Sequence, residues 1–224
     1  MKQILPILAI CLITGCDAVD VIKNKFISKE KYKLFLIASK QEVDINKFKV
    51  EKELYKDAYL TDVGYVVYTG VGKVNTTYSF TKFITLYKDK ISEIYNIGTA
   101  GATSNNKFGD MVECNKFIQN DAEEFLKKHI IQKTNTTLHE NNDYTCLTTD
   151  SFITTKHPDG KFMFEMEAYA NAKVAQNFNR LDNFYAIKVV SDIIGSNNLG
   201  HWDNDAKELN NKLVNKIKEI ANKK

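Results

Sequence analysis

The sequence predicts an α/β domain that follows an N-terminal leader. Three observations predict it. Short continuous apolar runs at 33–38, 65–68, 91–97 and 185–190 have the length and composition of buried strands. Elsewhere apolar or small residues recur every three or four positions, the period of one helix face: Phe80, Phe83, Ile84 and Tyr87, then Ala168, Ala172, Ala175 and Phe178, then Leu209, Leu213, Ile217 and Ile220. Acids and small residues follow the ends of the apolar runs, where open α/β sheets place their ligands. At 224 residues, 43% of them hydrophobic and 26% charged, the chain can bury one sizeable core. The net charge of +3 comes from lysine, Arg180 is the only arginine, and no basic block is interleaved with aromatics. That balance excludes nucleic acid as a partner. Neither Cys-x-x-Cys nor His-x-x-x-His spacing occurs, so no metal and no cofactor are expected.

The leader comes first. Met1-Lys2-Gln3 is a short positive start, and residues 4–13 form an apolar run too short to span a bilayer but long enough for a signal peptide. It ends at Ile13-Thr14-Gly15-Cys16, which resembles a bacterial lipobox. The expected organisation is a lipoprotein signal at 1–15, a polar lysine-rich tether at 16–31 and the folded domain at 32–224. The alternative is a first buried strand with a chance cysteine. Acylation of Cys16 would anchor the chain to the cell envelope, since several acyl chains bind firmly where one binds marginally. Asp17 resembles an inner-membrane retention signal, which implies the periplasmic face if the cell is Gram-negative. Cys114 and Cys146 remain after export, and they read equally as a disulfide or as two buried thiols.

Within the domain, the run at 33–38 is the first strand, and Glu42 lies just past its carboxyl end. Residues 45–63 lack helical periodicity and fit a pair of short strands. The β-rich Tyr65-Val66-Val67-Tyr68 leads into Thr69-Gly70-Val71-Gly72-Lys73-Val74, whose glycines permit a tight turn and close ligand approach. The spacing of a phosphate-binding P-loop is missing, so Lys73 is not such a lysine. A helix with Phe80 and Phe83 on its inner face follows. After the strand at 91–97, Gly98-Thr99-Ala100-Gly101 is expected to be a turn of small residues, with backbone N–H groups and the Thr99 hydroxyl facing a ligand. Gly109-Asp110-Met111-Val112 opens another strand, with Asp110 structural. The strand at 144–149 leads to Asp150-Ser151-Phe152-Ile153. At Glu165-Met166-Glu167 a strand gives way to the alanine-faced helix, where acids suit the helix dipole. Extended geometry would put both glutamates on one side and Met166 on the other. The run at 185–190 ends in Ser191-Asp192, and an aspartate there is costly unless used or paired. A polar loop around His201 and Trp202 precedes the final amphipathic helix.

Taken in order, Gly70-Val71-Gly72-Lys73-Val74, Asn96 to Gly101, Gly109-Asp110-Met111-Val112, Asp150-Ser151-Phe152-Ile153, Phe164-Glu165-Met166-Glu167 and Val189-Val190-Ser191-Asp192 resemble the nucleoside phosphorylase and nucleosidase family, most closely its methylthioadenosine/S-adenosylhomocysteine nucleosidases. The resemblance covers roughly 33–221. It departs at 115–145, which is shorter here, and at Ile37, where the family has glycine. It implies a three-layer α/β/α fold around a central mixed twisted sheet. It also implies hydrolysis of the N-glycosidic bond of purine nucleosides with release of adenine. Asp192, protonated in a dry site, would donate to the purine N7, with Ser191 orienting it. Glu42 would activate water, and Glu167 would bind the ribose hydroxyls. Thr99, Ala100 and Gly101 would lie below the sugar, Met166 would pack on it, and Phe152, Ile153 and Trp202 would line the base. Asn96 stands where hexameric phosphorylases carry an arginine, which points to water as nucleophile. Related nucleosidases are homodimers, although no apolar face for that contact is legible in the sequence. The alternatives are a nucleoside-binding lipoprotein without turnover and a purine nucleoside phosphorylase.

Overall fold

The computed structural model describes residues 30–122, 130–133, 143–153, 157, 158, 160–195 and 202–223, with side chains from 206 onward in the last segment. The leader, Cys16, most of the tether and His201 lie outside the described residues. Contacts divide the chain into Met1–Lys31 and Tyr32–Lys224, and the fold is that of the second unit.

It is a mixed α/β fold. The strands are β1 (Tyr32–Ile37), β2 (Val50–Tyr55), β3 (Ala58–Thr61), β4 (Gly64–Tyr68), β5 (Ile91–Ala102), β6 (Met111–Gln119), β7 (Ile131–Gln132), β8 (Tyr144–Thr148), β9 (Phe162–Glu165) and β10 (Phe184–Ile193). The helices are α1 (Lys73–Tyr87), α2 (Ala168–Asn177) and α3 (Trp202–Asn222). All the strands join one sheet, in which β1, β4, β5 and β10 run parallel and β6 runs antiparallel to β10. β5 organises it. Its first half pairs with β1, its last two residues pair with β9, and β10 accompanies it from Ile94 to Ala102. The pairings β5–β10, β10–β6, β6–β8, β8–β9 and β9–β5 therefore close a ring.

Two apolar clusters hold the sheet, and strand alternation assigns residues to them. In β1, Leu34 and Leu36 join Phe80, Phe83 and Ile84 of α1 with Ala168, Ala172 and Ala175 of α2. Phe35 and Ile37 join Leu209, Leu213, Ile217 and Ile220 of α3. Each large apolar side chain buried this way contributes roughly 1.5–3 kcal/mol. The alanines bring α2 close to the sheet, as the small-residue periodicity predicts. Cys114 of β6 and Cys146 of β8, both fully buried, are joined by a disulfide between these two neighbouring strands.

The expected turn at Gly98-Thr99-Ala100-Gly101 is instead the end of β5, and Ser191 and Asp192 lie inside β10. The two strands stay paired through this stretch, with one register shift between Val190 and Asp192. Glycine is tolerated inside β5 because other groups approach its backbone closely there.

Candidate active site

Two of the three predicted carboxylates contact the end of β5. Glu42, carried by the turn after β1, is buried over Gly98 and Thr99: its Oε1 accepts hydrogen bonds from the Thr99 N–H (2.8 Å) and hydroxyl (2.9 Å). A methyl group at Gly98 would lie 2.8 Å from that oxygen and would have to displace the carboxylate. The other oxygen, Oε2, is buried and has no hydrogen-bond partner among the described residues. A buried carboxylate oxygen left bare is costly unless a ligand or water completes it. Further along the same strand, Asp192 pairs with Gly101, and a methyl group at Gly101 would lie 2.9 Å from its Oδ2. The Ser191 hydroxyl donates to Asp192 Oδ1 at 2.7 Å. Asp192 is half-buried, not enclosed in the dry site expected of it.

Glu167 arrives from another element. β9 ends at Glu165, and Glu167 is the N-cap of α2, so strand alternation no longer relates the two glutamates. Glu165 turns into the fold. One oxygen accepts the Thr148 hydroxyl; the other accepts the N–H groups of Glu167 (2.9 Å) and Ala168 (2.6 Å), capping α2. It also forms an ion pair of 3.1 Å with Lys188, a β10 side chain only 1% exposed. Glu167 Oε1 accepts the Gly72 N–H at 2.9 Å, at the entry to α1. Burial pushes the Glu167 carboxyl up to about 7; Lys188 and the Gly72 N–H oppose the rise, and the charges of Glu165 and Glu42 add to it. Burial disfavours the Lys188 charge, but Glu165, Glu167 and Glu42 together hold that lysine above its ordinary range. Glu42 and Glu167 thus act on one another and on one buried cation.

The remaining predicted residues divide. Thr99, Ala100 and Gly101 line the end of β5 beside Glu42 and Asp192. Met166 is half-buried between the two glutamates in sequence. Ile153 packs on Leu147, Phe164 and Ile194, while Phe152 stands 89% exposed at the surface. Trp202 occupies the first position of α3, and its side chain lies outside the described residues. Asn96 is buried within β5. Arg180 donates to the carbonyls of Ile91 and Ser92 (2.8 Å each), at the opposite end of β5. At about 3.3 Å per residue it is roughly 25 Å from Thr99.

Lys188 and Glu165 complete the cluster; the sequence marked Glu165 only as a helix-opening acid and did not single out Lys188. A signal existed: Lys188 is the one charge inside the apolar run 185–190, and a lysine is almost never fully buried unless paired. Nothing in the sequence, by contrast, pairs Gly72 with Glu167, 95 positions apart.

No protein-family model matches the sequence, and no curated protein matches it. Solved structures do match. The 5'-methylthioadenosine/S-adenosylhomocysteine nucleosidase from Helicobacter pylori, in complex with butyl-thio-DADMe-Immucillin-A, has a TM-score of 0.70 at 16% identity, covering 87% of this chain and 98% of its own. The corresponding nucleosidase from S. pneumoniae, with the transition-state inhibitor MT-ImmA, has a TM-score of 0.66 at 18% identity, covering 84% and 97%. The futalosine hydrolase of Helicobacter pylori has a TM-score of 0.67 at 16% identity, covering 85% and 97%. The chain therefore has the fold of these nucleoside hydrolases.

Proposed function

We propose that the protein hydrolyses the N-glycosidic bond of purine nucleosides, with 5'-methylthioadenosine and S-adenosylhomocysteine as its substrates, and releases adenine. The observation that carries this reading is the bare Glu42 Oε2, buried beside the end of β5 within a cluster that also engages Glu167. Asp192, oriented by Ser191, donates a proton to the purine N7, so that adenine leaves as a neutral base. Positive charge develops on the ribose as the bond breaks, and the Glu167 carboxylate grips the hydroxyls more strongly as it does so. Glu42 Oε2 takes a proton from the attacking water while Thr99 holds Oε1 in place. Water is preferred to phosphate because the single guanidinium that could fork an oxyanion lies at the far end of β5. The same reading takes the fold as three layers, with α1 and α2 on one side of the sheet and α3 on the other.

Incubating the purified protein with methylthioadenosine in phosphate-free buffer, and following adenine by chromatography, tests this. Adenine release without phosphate supports the hydrolase. Turnover only with phosphate would make it a phosphorylase, and binding without product would make it a nucleoside-binding lipoprotein. Acylation at Cys16 and export belong to the same proposal. The Cys114–Cys146 disulfide supports an oxidising compartment, and Cys16→Ala should release the protein from the membrane fraction. A homodimer is also proposed, supported by the apolar stripe of Val74 (80% exposed), Tyr78 (68%) and Leu86 (60%) along α1. Sedimentation of the Tyr78→Asp variant as a monomer, against a wild-type dimer, is the expected result.

A further inference from the structure

Beside the Glu167 carboxylate, three chain segments distant in sequence meet on one lysine. Lys73 opens α1 directly after Gly72, whose N–H holds Glu167. The Lys73 Nζ donates to both carboxylate oxygens of Asp121, at 2.6 and 2.5 Å, in the turn after β6. It also pairs at 3.1 Å with Asp150, in the loop after β8. The backbone closes the circuit. The Lys73 N–H donates to Asp150 Oδ1 (3.1 Å), and the Asp150 N–H donates to Asp121 Oδ2 (2.9 Å). Asp150 lies two residues before Phe152 and three before Ile153, the residues expected to face a base. The Gly72–Lys73 peptide thus connects the group proposed for the ribose to the loop proposed for the base.

We propose that Lys73 is a positioning residue: with Asp121 and Asp150 it clasps the 150–153 loop to the turn that holds Glu167, and so sets the grip on base and ribose together without entering the bond-breaking step. An ordinary surface ion pair is worth little, because two long side chains are held in water by a single contact. This arrangement differs in three respects. The lysine side chain is only 14% exposed, it is shared by two carboxylates, and each carboxylate also accepts a backbone N–H. Burial works against the Lys73 charge, yet its pKa is raised by Asp121 and Asp150. Burial likewise works against the Asp121 charge, yet its pKa is lowered, chiefly by the bond from Lys73. Both ends of the clasp thus stay ionised. Asp121 lies in the segment where the chain departs from the nucleosidases it resembles, so this chain supplies one of the three members from its own distinctive sequence.

The inference rests on the nucleosidase reading for its kinetic consequence but not for its structural one, and two measurements separate them. The first is steady-state kinetics with methylthioadenosine on Lys73→Met and Lys73→Arg. Lys73→Met should lower kcat/KM about tenfold, the value of one charge-assisted bond, chiefly through a higher KM. Lys73→Arg keeps the charge and should recover most of the loss. A fall in kcat at unchanged KM, or equal loss in both variants, would overturn the proposal. The second is amide hydrogen exchange at Asp150 and Lys73, which needs no turnover. Lys73→Met should speed exchange at the Asp150 amide while amides in β1 and β5 keep wild-type protection. Unchanged exchange at Asp150 would refute the clasp even in an active enzyme. If the wild-type protein releases no adenine, the nucleosidase reading fails, and the exchange result alone decides the clasp.

Discussion

The carboxyl of Glu167 couples stability to proton concentration in a direction opposite to most paired acids. Its pKa is lifted from the ordinary 4.5 to about 7 because it is buried, with two other carboxylates acting on it. Between those two values the folded protein holds a proton that the unfolded chain has released, so stability falls as pH rises and levels off above about 7. Holding the proton over that interval is worth roughly 3 kcal/mol at 1.36 kcal/mol per pH unit. The group is only 6% exposed, so solvent screening removes little of this. Glu167→Gln is the informative perturbation. The amide oxygen still accepts the Gly72 N–H, but the charge is gone. The pH slope between 5 and 8 should flatten, and at pH 8 the variant should gain on the order of 2–3 kcal/mol relative to wild type, while the two nearly coincide at pH 5. Urea denaturation at a series of pH values, with the disulfide intact, measures both curves. Parallel curves for the two proteins across that range would refute the argument that burial holds this proton. Under the proposed function activity moves the other way, because the ribose hydroxyls need an ionised acceptor. For the wild type, kcat/KM should therefore rise through about pH 7 as stability declines.

Three further outcomes are expected. Lys188→Met removes the cation from the buried Glu165 pair and should cost about 3–5 kcal/mol in urea denaturation, since an uncompensated carboxylate remains. Asp192→Asn should lower kcat for adenine release by about 100- to 10,000-fold while nucleoside binding by calorimetry is retained, and Ser191→Ala should act in the same direction with a smaller effect. Reducing the Cys114–Cys146 bond opens a loop closed over a sequence separation of 32, which should lower the unfolding free energy by about 3–4 kcal/mol; an unchanged denaturation midpoint with reductant would contradict it.

Periodicity and apolar length were enough to determine much of this protein from its sequence. The faces of α1, α2 and α3 and the buried runs of β1, β4 and β10 are where those patterns put them, because one side of a helix or strand must leave water whatever its partners are. The candidate carboxylates were legible for a related reason: an acid at the end of an apolar strand is expensive, so its presence there needs a purpose. Tertiary structure decided the rest. It made Gly98 to Gly101 a strand, because β10 pairs alongside it to the last residue. It left Phe152 exposed and Asp192 half-buried, which depends on what other segments cover them. It also joined Glu167 to Gly72, Lys188 to Glu165 and Lys73 to Asp121. Each of those contacts spans 23 to 95 positions. Local patterning encodes which side of an element is buried, whereas a charge finds its partner only once the sheet has brought distant segments to the same edge.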